Sequence, residues 1–178
     1  MNRINSVLLL ANLLVSTNVL ANPAEKNRIG FRAEASYVET HTDQLKTARG
    51  YGIGVAYDLH KYFAAYGRLT EVTAKESGFD LDLRGINLGV QVGYDFPLAT
   101  DTYLKPYLHA GYLFPKLYAK TSGSKESISI TQAPIYGLGL RLDVRKFTVA
   151  LEYARFDFKP EDLKLKSDQM MVSLGWAF

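Results

Sequence analysis

Gly85-Ile86-Asn87-Leu88-Gly89-Val90-Gln91-Val92-Gly93-Tyr94-Asp95-Phe96 decides the fold. Ile86, Leu88, Val90, Val92, Tyr94 and Phe96 share one face of an extended chain. Gly85, Asn87, Gly89, Gln91, Gly93 and Asp95 share the other. Successive strand residues point to opposite faces, so unbroken period-two alternation reads as a strand. A helix would need apolar residues three and four apart. The run is also about as long as a tilted strand that crosses a membrane.

The pattern recurs seven more times. Upstream, Ile29, Phe31, Ala33, Ala35 and Tyr37 oppose Gly30, Arg32, Glu34 and Ser36. Tyr51, Ile53, Val55, Tyr57 and Leu59 oppose Gly50, Gly52, Gly54, Ala56 and Asp58. Phe63, Ala65, Gly67 and Leu69 oppose Tyr66 and Arg68. Downstream, Leu104, Pro106, Leu108, Ala110 and Tyr112 oppose Lys105, Tyr107, His109 and Gly111. Tyr136, Leu138, Leu140 and Leu142 oppose Ile135, Gly137, Gly139, Arg141 and Asp143. Phe147, Val149, Leu151 and Tyr153 oppose Thr148, Ala150, Glu152 and Ala154. Met170, Val172, Leu174, Trp176 and Phe178 oppose Gln169, Met171, Ser173, Gly175 and Ala177.

Alternation alone also fits a soluble, lipocalin-like barrel, so the composition of each face must decide. The polar faces are rich in glycine, which weakens a strand unless something must approach the backbone closely. The inside of a narrow barrel supplies that reason, because few large side chains fit there. The other polar-face groups carry both signs. Arg32, Arg68, Lys105, His109 and Arg141 stand against Glu34, Asp58, Asp95, Asp143 and Glu152. Converging in a small lumen, such charges can pair and offset their desolvation. The apolar faces suit lipid. Tyr57, Phe96, Phe147 and Phe178 fall near one set of strand ends, and Tyr37, Tyr51, Tyr112, Tyr136 and Tyr153 near the other. Two aromatic girdles are the mark of an outer-membrane barrel. Short connections near 58–61, 97–102 and 143–146 alternate with longer ones over 40–48, 72–81, 114–132 and 157–167. That matches short periplasmic turns and long external loops. The expected fold is all-β: an eight-stranded antiparallel up-and-down transmembrane β-barrel.

The ends of the chain agree. Arg3, the apolar run Val7–Val15 and Val19-Leu20-Ala21 have the layout of a secretory signal peptide over residues 1–21. The barrel domain is then 22–178, opening with a short polar leader, Asn22–Arg28, in the periplasm. Arg3 is the only charge before Ala21, leaving 20 basic and 18 acidic residues beyond it. So even a balance gives no basic face for nucleic acid. The chain has no cysteine, which excludes disulfides, thiolate metal sites and cysteine nucleophiles. His41 and His60 have no metal-ligand spacing around them, and no cofactor motif is present. Gly50, Gly52 and Gly54 lie within a strand, not in the strand–loop–helix setting of a phosphate loop.

The last strand, Asp168 to Phe178, resembles the closing strand of the small OmpA-type and OmpX/Ail-type barrels of Gram-negative outer membranes. Met170, Val172, Leu174, Trp176 and Phe178 match their alternate apolar positions and aromatic ending. Ala177 departs from the basic residue often found before the final Phe. Thr148–Phe158 is similar to their penultimate strand. The resemblance implies that the last strand is a signal read by the barrel-insertion machinery; because the sequence stops at Phe178, no peptidoglycan-binding domain is expected after it. It also brings lipid A-modifying barrels into view. Lipid A deacylases carry a His-x-Ser pair, whereas His109 is followed by Ala110 and Gly111. Palmitoyltransferase barrels carry a helix before the first strand, for which Asn22–Arg28 is too short.

Three functions follow as expectations. The leading one is a barrel with a side-chain-plugged lumen, working in envelope integrity or adhesion through its external loops. A narrow pore and a lipid A-modifying enzyme centred on His109 are the alternatives; the paired charges argue against the first and the missing His-x-Ser pair against the second. Lys116, Lys120, Lys125, Lys159, Lys164 and Lys166 are the candidate loop contacts, suited to lipopolysaccharide phosphates. The expected partners are outer-membrane lipid and lipopolysaccharide, the insertion machinery, and a host or other extracellular surface ligand. Phe114, Leu117, Tyr118, Ile128 and Ile130 suggest strands continuing above the membrane, where an unpaired edge can be adhesive.

Overall fold

The computed structural model describes residues 29–42, 45–76, 79–121, 124–129, 131–158 and 165–178. The expected signal segment 1–21 and leader 22–28 lie outside them, as do Ile130, Lys159 and Lys164. The strands are β1 (Gly30–Thr42), β2 (Leu45–His60), β3 (Phe63–Glu76), β4 (Phe79–Gly93), β5 (Phe96–Ala99), β6 (Thr102–Thr121), β7 (Ser124–Ser129), β8 (Ala133–Val144), β9 (Phe147–Phe158) and β10 (Leu165–Ala177).

Eight of these form a closed antiparallel ring. Its order is β4-β3-β2-β1-β10-β9-β8-β6, and β6 returns to β4 along Asp80–Gly93. β5 continues the line of β4 past Tyr94-Asp95, and β7 precedes β8 in the same way; both pair with β6. Closure satisfies the backbone groups that an open edge would leave without partners in hydrocarbon. At one end three two-residue turns, Lys61-Tyr62, Thr100-Asp101 and Arg145-Lys146, join neighbouring strands. Asp101 and Arg145 both have φ of 55°, the positive φ that tight hairpins need to match strand twist. The Arg145 N–H donates to the Asp101 carbonyl at 2.7 Å, tying two of the turns together.

Every inward and outward assignment above matches the observed alternation. Outside, Phe31, Ile53, Leu108 and Leu138 are 57–65% exposed. A continuous belt of exposed aliphatic and aromatic side chains is untenable in water and suited to lipid.

The lengths of the connections differ from expectation. Most of the residues read as long external loops are strand. β1 runs to Thr42, β3 to Glu76 and β6 to Thr121. β6 and β7 pair from Lys116↔Ser129 to Thr121↔Ser124. The stretch 97–102, read as a turn, holds most of β5 and only a two-residue turn. Antiparallel neighbours go on pairing wherever both chains can stay extended, so they carry the ladder past the apolar belt.

Candidate functional site

The ten charged or titratable residues singled out in the sequence all project into the lumen. Three arginines and four carboxylates form a continuous chain across it. Arg68 reaches Glu152 at 2.6 Å through Nη1 and Glu34 at 3.3 Å through Nη2. Glu34 also accepts from Arg32 Nε, and Arg32 Nη1 donates to Asp58 at 2.6 Å. Asp58 accepts from Arg141 Nη1 at 3.2 Å, and Arg141 Nε donates to Asp143 at 3.0 Å. Thr148 closes the sequence with a 2.7 Å hydrogen bond to Asp143. The chain thus links β9, β3, β1, β2 and β8. Lys105 stands beside it, 3.4 Å from Asp95 and donating to the Lys61 carbonyl at 2.7 Å. Guanidinium forks suit this role, since each can serve two carboxylates at once.

His109 sits at the upper side of the network. Its Nε2 is 3.8 Å from Glu152, and its Nδ1 is 3.3 Å from the Tyr66 hydroxyl. Tyr66 and Tyr107 fold across the lumen onto glycine. A Cβ at Gly89 would lie 2.7 Å from the Tyr66 hydroxyl, and one at Gly139 would lie 2.4 Å from the Tyr107 ring. That close approach is what these inward glycines provide.

Toward the short turns the network opens into a basin of about 520 Å³, with Arg32, Asp58, Arg141 and Asp143 in its lining. In the other direction the lumen changes character. Val38, Val72 and Met171 pack together from β1, β3 and β10. Leu113, Ala133, Ile135, Ala154 and Phe156 pack together from β6, β8 and β9. Val38, Ile135 and Phe156 are each at most 1% exposed. The lumen therefore holds a charged layer and, above it, an apolar cork. The sequence reading placed Ile135 and Met171 inward but did not identify the cork.

Outside, seven of the eight ring strands turn charged at the long-hairpin end of the apolar belt, and on β8 the outward position after Tyr136 is Pro134. Outward positions pass from Tyr37 to Glu39, Tyr51 to Arg49, Leu69 to Glu71 and Ile86 to Arg84. They pass likewise from Phe114 to Lys116, Tyr153 to Arg155 and Met170 to Asp168. Several of these groups pair across strands. Arg49 meets Glu39 at 3.2 Å, Arg84 meets Glu71 at 2.8 Å and Arg155 meets Asp168 at 2.8 Å. Of the candidate contact lysines, Lys116 and Lys166 are exposed in this collar. Lys120 and Lys125 are opposite each other near the β6–β7 tip.

A closed ring of eight membrane-length strands, a filled lumen and a lipid-facing apolar belt define a small outer-membrane β-barrel. The chain matches the family model "Outer membrane protein beta-barrel domain" over residues 7–178 and belongs to that family. Solved structures of similar fold include Neisserial surface protein A, at 15% identity and a TM-score of 0.60 over 86% of this chain and 100% of that one. Ail, the attachment invasion locus protein of Yersinia pestis, is 20% identical with a TM-score of 0.53 over 86% and 99%. OprG of Pseudomonas aeruginosa is 12% identical with a TM-score of 0.56 over 85% and 97%. No curated protein matches the chain in sequence. The protein resides in the outer membrane.

Proposed function

We propose that this protein is a closed, non-conducting barrel that works at the cell surface, presenting the raised β6–β7 hairpin to an external partner. The filled lumen carries the reading. Arg32, Lys105, Ile135 and Phe156 are among its most deeply buried side chains, and an eight-stranded barrel has little interior to spare. With the interior occupied, the exterior is what remains for interaction. Among the described residues β7 pairs with β6 alone. A second edge of this kind can take an added strand, the mode by which sheet edges recruit partners. Lys120 and Lys125 occupy facing register positions near that tip. One structure of Ail from Yersinia pestis is a complex with the heparin analogue sucrose octasulfate, so a sulfated polysaccharide is a sensible first probe here.

The enzyme reading gains no support from His109. It is 4% exposed and surrounded by Tyr66, Tyr107 and Glu152, which suits a structural part of the plug.

Surface contact is tested by shaving the hairpin. Residues 117–128 are replaced by an Asn-Gly turn, and cells displaying either form are scored for attachment to epithelial layers and to immobilised heparin. The shaved barrel is expected to remain heat-modifiable on gels and to lose attachment. Unchanged attachment, or none by the intact protein on either surface, would overturn the reading.

A further inference from the structure

A groove of about 760 Å³ crosses the outer wall where β2, β3, β4 and β6 run side by side. Tyr51, Ile53, Leu69, Ile86 and Phe114 form its apolar part. Arg49, Arg84 and Lys116 stand at its external end, with Glu71 the one acid in the lining. On all four strands the step from apolar to charged falls within this groove. The boundary between hydrocarbon and headgroups therefore runs across it.

The charges in the groove are not balanced as they are elsewhere in the collar. Arg155 pairs with Asp168 on the β9–β10 wall, and of the groove's own cations Arg49 is matched by Glu39. Arg84 has Glu71 on one side but is directly opposite Lys116 on the other. Like charges on facing strand positions repel, and an anion between them would reverse the sign of that interaction. Arg84 is already held in place for such a partner. Its guanidinium donates to Glu71 and lies 5.4 Å from the centre of the Tyr118 ring. Lys116 is exposed and makes no ion pair among the described residues. An Arg–Lys pair above an apolar trough is complementary to one kind of molecule: an amphiphile with acyl chains below a phosphate.

We propose that this groove binds the phosphorylated, multiply acylated glycolipid of the outer leaflet, the lipid A part of lipopolysaccharide. One phosphate lies between Arg84 and Lys116, and an acyl chain lies along Leu69, Ile86 and Phe114. The site rests on the barrel's place in the outer membrane and is independent of the β6–β7 edge.

The test is native mass spectrometry of the full barrel released from detergent with diphosphoryl lipid A, dephosphorylated lipid A or phosphatidylglycerol. The intact protein is expected to retain lipid A in preference to the other two. R84Q/K116Q should weaken retention at least about tenfold, because two charge-assisted contacts are lost. R155Q/K166Q removes the same charge from the β9–β10 wall and should leave retention within about twofold. Equal losses in the two variants would overturn the site. So would equal retention of dephosphorylated lipid A, and displacement by an equal amount of phosphatidylglycerol would make the occupant an ordinary phospholipid. A second measurement needs no variant. Amine labelling of the wild-type barrel should be suppressed by lipid A at Lys116 and not at Lys166, and equal labelling at Lys116 with and without lipid A would contradict the proposal.

Discussion

The two halves of the lumen solve one problem by different chemistry. Toward the short turns, Arg32, Arg68 and Arg141 alternate with four carboxylates, and each charge is offset by a neighbour. Toward the long hairpins, Val38, Ile135, Phe156 and Met171 fill the same bore with apolar side chains. The difference lies in what failure costs. The apolar half degrades gradually, since a lost methyl group leaves a cavity of limited effect. The charged half does not, since one missing partner strands a buried ion.

Several changes would break or sharpen that contrast. The largest effect is expected for Arg68→Ala, which leaves Glu152 without its main partner and Glu34 with one fewer. It should cost about 3–5 kcal/mol, read from urea unfolding of the barrel in lipid vesicles. Coupling it to the acid makes the origin visible: Arg68→Met with Glu152→Gln should unfold at higher urea than Arg68→Ala alone, because no uncompensated charge remains at that position. A double variant weaker than the single would mean that lost packing, not a stranded charge, sets the cost. Next, Leu138→Arg places a charge on the lipid face and should cost about 2–4 kcal/mol if it lies near the midplane. A neutral result would contradict the assignment of that face to lipid. Ile135→Ala, a hole in the cork, should cost about 2–3 kcal/mol by the same unfolding measurement. The smallest effect is expected for Arg155→Gln in the solvated collar, whose unfolding midpoint should coincide with that of the parent.

The charged half was legible in the sequence and the cork largely was not, for one physical reason. A polar residue flanked by apolar ones keeps the period-two pattern intact, so Arg32, Glu34, Arg141 and Glu152 announce an inward face. Leu113 between Tyr112 and Phe114 breaks that pattern, as does Val38 after Tyr37. An apolar residue on the inward face looks like the end of a strand. The same effect at Val72 made the upper part of β3 read as a loop, the polar run Thr40-His41-Thr42 did so for β1, and the continuation of β6 was signalled by Phe114, Leu117 and Tyr118. Which arginine meets which carboxylate was also beyond the sequence. That depends on the stagger of strands far apart in the chain, as when Arg68 on β3 meets Glu152 on β9. The groove on the outer wall had one sequence-level sign, the step from Ile86 to Arg84 and from Phe114 to Lys116. Only the register of β4 and β6 brings Arg84 opposite Lys116.

Conductance of the purified wild-type barrel in planar lipid bilayers tests the filled lumen most directly. Insertion is expected, confirmed by the heat-modifiable form on gels, without stable current steps. Reproducible steps of one size across independent insertions would contradict it, because ions would then be crossing both the charged layer and the cork.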